Sequence, residues 1–227
     1  MPIRVNALYC FFTTIAVDNY YKAKNILKEI IKRQDIEFCS ANFNKAEQSI
    51  MITCVFSIMA IESYFNDFAA RHLGDEEFYG NFDRMSLLSK FQLISKFILQ
   101  VDIDKSKSYY SNLKVAEKNR NELVHNKSKD FFDWNKTNKE IDFDSEEGPN
   151  HEEAIVKFDI KTLKNDLKDA KCAIDAIKDL ALFFDEADKS NYALKMLFSS
   201  FLSFGHDTEP NAIEFKKEFN IKVKSGT

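Results

Sequence analysis

The chain has 227 residues, enough to bury one sizeable core. It is 44% hydrophobic and 30% charged, which excludes a disordered chain, and its net charge of -4 excludes a surface coated all over with basic residues. Five Gly and three Pro beside 22 Phe favour long helices over a turn-rich β fold.

The N-terminal stretch "NALYCFFTTIAV" is apolar but short, with no small-residue cleavage site after it, so no signal peptide is expected. Its continuous apolar run gives no period, so residues 3–16 either extend the helix that follows or form a separate packed segment. A first helix is predicted over 17–34, where Tyr21, Ala23, Ile26, Leu27, Ile30 and Ile31 recur at helical spacing. A second, of near 30 residues, is predicted to open at Asn44. That residue is a good N-cap, and Glu47 stands three residues on, as in a capping box. Met51, Cys54, Val55, Ile58, Ile61, Phe65, Phe68 and Ala69 form its apolar stripe, and Gly74 ends it. Glu62 and Asn66 fall beside that stripe, one turn apart.

Asp83 is the expected cap of a third helix, with Leu87, Leu88, Phe91, Ile94, Phe97 and Ile98 on its buried face. A fourth is predicted from about 105 to 127. Residues 128–156 read as a long acidic loop insertion broken at Gly148-Pro149, with a short extended pair around "EIDFD" and "AIVKFD". A fifth helix begins near Asp159, with Leu163, Leu167, Ala170, Ile174, Ile177, Ala181 and Phe184 stepping by three and four. Residues 190–204 continue helical, and a loosely held tail runs over 206–227. Short links between long amphipathic helices imply an all-α antiparallel bundle of about five to six helices, forming a single domain over 1–205.

The fourth helix carries the chemistry. At 100° per residue Tyr109, Leu113, Ala116, Arg120 and Leu123 share one stripe, so a permanently charged guanidinium occupies a core-facing or interface-facing position. Glu117, Asn121 and His125 line up beside it at i, i+4 and i+8. Seven Lys or Arg against two Glu over 105–129 are followed by nine Asp or Glu against two Lys over 130–153. A basic helix thus precedes an acidic segment. The two can neutralise each other as solvated faces, or the helix binds anions beneath an acidic flap. Cys10, Cys39, Cys54 and Cys172 are scattered without a C-x-x-C pair, which points to free thiols in a reducing, cytoplasmic setting rather than to a zinc site.

The six residues "RNELVH", Arg120 to His125, resemble the R-x4-6-H motif of the HEPN superfamily, in the form where Asn follows the Arg. The resemblance implies an all-α dimer in which two protomers bring their motifs together. It further implies a metal-independent endoribonuclease with no cofactor, of the kind found in toxin–antitoxin pairs and antiphage defence. Arg120 would then stabilise the phosphorane, His125 would exchange protons near an ordinary imidazole pKa of about 6.5, and Asn121 would hold the His tautomer or a phosphate oxygen. Glu62 and Glu117 are supporting candidates, and Lys114, Lys118 and Lys127 are candidate RNA contacts. The implied partners are RNA, a second copy of the chain and an antitoxin or regulatory protein, with no membrane.

Other accounts compete. Arg120 can be half of a buried ion pair with Glu62 or Glu117, and His125 a cation at a helix C-terminus. A non-catalytic HEPN-like nucleotide-binding or dimeric interaction module would show the same residues. A bundle metal site on Glu62 and His125 lacks the Glu-x-x-His pairs of di-iron bundles. The three Lys are also compatible with a plain solvated face.

Overall fold

The computed structural model describes residues 8–73, 78–124 and 151–188, together with Glu214, Phe215 and Lys217. Among the described residues between 8 and 188 the regular structure is five α-helices and two π-helical turns, with no strand. The helices are α1 (Leu8–Arg33), α2 (Ile36–Leu73), α3 (Leu87–Leu93), α4 (Ser108–Val124) and α5 (His151–Asp188). The π-helical turns are Phe78–Phe82 and Ile94–Ile98. The expected all-α bundle is what forms.

Several boundaries differ from the sequence expectation. α1 starts at Leu8, so residues 8–16 extend the helix expected over 17–34, one of the two alternatives open in the sequence. Its buried line Tyr9, Thr13, Ala16, Tyr20, Ala23, Leu27, Ile30 alternates steps of four and three from the first turn, and the polar Thr13 disguises it. Thr13 is accommodated because its hydroxyl donates to the Tyr9 carbonyl at 2.8 Å. α2 opens at Ile36, so Asn44 lies inside a helix and caps nothing. Asp35 does the capping, its Oδ1 accepting from the Glu37 N–H at 2.9 Å. Gln34, at φ 50°, turns the chain in the left-handed region between the two helices.

The third helix is capped by Ser86, whose hydroxyl accepts from the Ser89 N–H at 3.2 Å, and not by Asp83. The fifth begins at His151 rather than near Asp159, so "AIVKFD" is helical, not extended. The stripe Val156, Ile160, Leu163, Leu167, Ala170, Ile174 is unbroken at steps of four and three, which the branched residues concealed. The acidic stretch 125–150, with "EIDFD", lies outside the described residues, as do 190–204. Described residues of the tail reach the bundle. Phe215 is buried, and Glu214 accepts from Lys24 Nζ at 3.0 Å on α1.

Thr53 Oγ1 donates to the Ala16 carbonyl at 3.2 Å and Tyr9 meets Tyr64, so α1 and α2 run antiparallel. α2 and α5 run parallel. Cys39 lies against Asp159 at one end of the pair and Phe65 against Phe184 at the other. α4 is antiparallel to α5, with Asn112 donating to Asp179 at 3.1 Å and Tyr109 beside Phe183. The α2–α5 pair therefore forms the centre, with α1 and α4 packed on it. An aromatic cluster of Tyr64, Phe65, Phe68, Phe91, Phe183 and Phe184 closes the end where α3 docks, and Phe65 stacks on Phe91 at 5.8 Å. α2 is long and apolar enough, by length and composition, to cross a membrane. In its most apolar window 56% is buried, so much of that apolarity faces the other helices.

Candidate functional site

α4 is amphipathic only in its first half. Leu113 and Ala116 are buried, Tyr109 and Arg120 are half-buried, and Leu123 and Val124 are exposed. The stripe that carries Arg120 thus leaves the core as the helix proceeds. This puts the guanidinium at the margin between interior and solvent, where a charge keeps water on one side.

At that margin Arg120 Nη1 donates to Asn121 Oδ1 at 2.9 Å. Its Nε is buried and has no acceptor among the described residues. No described carboxylate lies within ion-pair distance of it. The Asn119 amide nitrogen next to it is buried and equally unmatched. Successive residues point about 100° apart around a helix, so one small anion does not meet both donors.

The two carboxylates that might have paired with Arg120 are engaged elsewhere. Glu117 Oε1 accepts from the Leu87 N–H at 3.0 Å, where it satisfies the open N-terminus of α3 and complements its dipole. Glu62 Oε1 accepts from Lys90 Nζ at 2.8 Å, and Asn66 Oδ1 accepts from the same ammonium at 2.9 Å. Lys90 is 0% exposed, whereas Glu62 keeps 36% of its side chain open to solvent. The ion-pair account of Arg120 therefore does not hold among the described residues. Asn121 is engaged with Arg120 through its oxygen.

Lys90 is the residue that sequence reasoning missed. It sits with Leu87, Phe91 and Ile94 at i, i+3, i+4 and i+7, so a cation on an apolar stripe was visible there as it was at Arg120. Lys114 and Lys118 are exposed. Lys118 meets Glu122 at 3.9 Å, an exposed pair of small weight, and Lys114 has no ion pair among the described residues. His125 and Lys127 lie outside the described residues.

The remaining reactive groups are subdued. Burial, with Asp159 alongside, pushes the Cys39 thiol up to about 11, and burial with Asp169 and Asp166 pushes Cys54 to about 12. Both stay protonated at neutral pH and are poor nucleophiles. None of the four cysteines forms a disulfide. Burial, with Glu47 and Asp169 nearby, raises the Asp166 carboxyl to about 6. Among the described residues no three His, Cys, Asp or Glu gather as metal ligands, and Glu62 is occupied by Lys90. His72 Nδ1 bonds the Phe68 carbonyl at 2.8 Å, a local helix contact.

No family model, no curated protein and no solved structure matches this chain.

Proposed function

We propose that the protein is a metal-independent endoribonuclease of the toxin–antitoxin or antiphage defence type, acting as a cytoplasmic homodimer with a composite site. The observation that supports it most is the state of Arg120. Arg120 is half-buried and oriented by Asn121, and among the described residues its guanidinium has no carboxylate partner and one donor is unmatched. A fork-shaped cation left open in this way is suited to the non-bridging oxygens of a phosphate.

RNA brings its own nucleophile. A base removes the 2′-OH proton and the oxygen attacks phosphorus. The bond from phosphorus to the 5′-oxygen then breaks, and that oxygen takes up a proton. The products end in 2′,3′-cyclic phosphate and 5′-OH, and charge on the phosphorane falls to Arg120. The "RNELVH" resemblance assigns the proton transfers to His125, with a second copy of the chain completing the site. Lys114 and Lys118 extend the cationic surface along α4 toward the RNA backbone.

The test is incubation of purified protein with RNA in EDTA. Cleavage to 2′,3′-cyclic phosphate ends, lost in Arg120→Ala and in His125→Ala at unchanged melting temperature, supports the reading. RNA that is bound but left intact points to a nucleotide-binding module, and cleavage that needs added metal removes the mechanism.

A further inference from the structure

α3 is pinned at both ends of its first turn. At Leu87 the main-chain N–H is held by Glu117 of α4, and at Lys90 the side chain is held by Glu62 and Asn66 of α2. Leu87 and Lys90 are three residues apart and so lie on one face of α3, a single turn from one another. The Lys90 ammonium is wholly buried, its two hydrogen bonds go to α2, and the Phe82 ring stands 5.7 Å away. A buried ammonium is tolerated only while those partners hold it, so its geometry is restricted. Apolar contacts such as Phe65 on Phe91 let helices slide by small steps. Directional bonds to a buried charge and to a helix N-terminus do not. Arg120 follows Glu117 by three residues on α4, and Asn121 follows it by four. Whatever fixes Glu117 against α3 also fixes the height at which the guanidinium emerges.

We propose that Lys90 is a positioning residue. Acting through Glu62, Asn66 and the Leu87–Glu117 bond, it sets the place of α4 against α2, and with it the orientation of the Arg120 guanidinium. The proposal rests on Arg120 being the phosphate-binding group of the site, and its test separates the two ideas. Lys90 touches no substrate in this scheme. Its charge is spent on holding two helices in register.

The chain has only five Arg, so the Nε–H resonances of the folded protein in a 15N-labelled sample form a small set, and Arg120→Lys identifies the one that belongs to Arg120. Lys90→Met keeps the length and apolar contacts of the side chain and removes the charge. In Lys90→Met the Arg120 Nε–H peak is expected to move or broaden, and inorganic phosphate to bind on the order of tenfold more weakly. Ile30→Val, a buried change on α1, is the control and is expected to leave the peak in place. If Lys90→Met does not fold, Asn66→Ala removes one of the two hydrogen bonds to Lys90 and is expected to shift the same peak. An Arg120 peak unmoved in the folded variant, or moved equally by the α1 control, overturns the positioning role and leaves Lys90 a plain strut. A wild-type peak that ignores added phosphate removes instead the phosphate-binding reading on which the role rests.

Discussion

Arg120 carries a charge that the described fold does not neutralise, and this has a stability signature. A buried donor without an acceptor costs about 1–3 kcal/mol. Arg120→Met is therefore expected to change unfolding free energy by less than about 1 kcal/mol, or to stabilise, while lowering RNA cleavage about 10²–10³-fold. Denaturant titration beside the cleavage assay checks both halves, and a loss of several kcal/mol would mean that Arg120 is structural. Asp166 gives a prediction in pH. Its native carboxyl titrates near 6, above the ordinary 3.8, so the folded state holds the proton more tightly than the unfolded one. The resulting stabilisation is complete below about 3.8 and is lost as pH rises through 6. Asp166→Asn should raise the melting temperature at pH 8 and bring little gain near pH 4. Equal gains at both would contradict the linkage. Arg120 was legible because a charge on an apolar stripe stands out by spacing alone. Its partners were not. The sequence offered Glu62 and Glu117 equally, and only the approach of α3 commits them to Lys90 and Leu87.

Helix interiors were legible from their apolar spacing except at Phe97, which was expected on the buried face of the third helix and is 69% exposed in the π-helical turn; helix starts were not legible. Asn44 with Glu47 satisfies every local rule for a cap, yet α2 runs through it from Ile36. The deciding event is upstream. Gln34 adopts φ 50° and its N–H bonds the Ile30 carbonyl at 2.9 Å, which ends α1, and Asp35 then caps α2. A non-glycine residue in that region is a weak sequence signal, because the strain of about 1 kcal/mol is recovered by joining two long helices through two residues. Gln34→Gly should therefore stabilise the protein by about 0.5–1 kcal/mol, measured by chemical denaturation. A destabilised variant would show that the Gln side chain contributes more than its backbone costs. The same reasoning explains the late expectation for α5. "AIVKFD" is rich in branched residues that suit a strand, but Val156 is buried on the helical line that continues to Ile174. Tertiary packing overrides that local preference.

At the scale of the molecule, α1 and α4 each pack on the α2–α5 pair, and each leaves apolar surface exposed. On α4 these are Val115, 38% exposed, and, in the turn after Arg120, Leu123 and Val124, 37% and 50% exposed. On α1 they are Leu8, Phe11, Ile15 and Ile31, with Phe11 62% exposed. A composite nuclease site requires two copies of the Arg120 turn to meet, so the two-fold contact must include the end of α4. Leu123→Asp places a charge in that contact without disturbing the buried residues. It is expected to convert a dimer to monomer, to abolish cleavage and to leave helical content unchanged. Phe11→Asp, made on α1, is expected to leave both the dimer and the cleavage intact. Light scattering coupled to size exclusion reads the mass of each variant. If Phe11→Asp dissociates the dimer and Leu123→Asp does not, the two guanidinium groups stand on separate sides of the assembly, and no shared phosphate pocket exists for them to form.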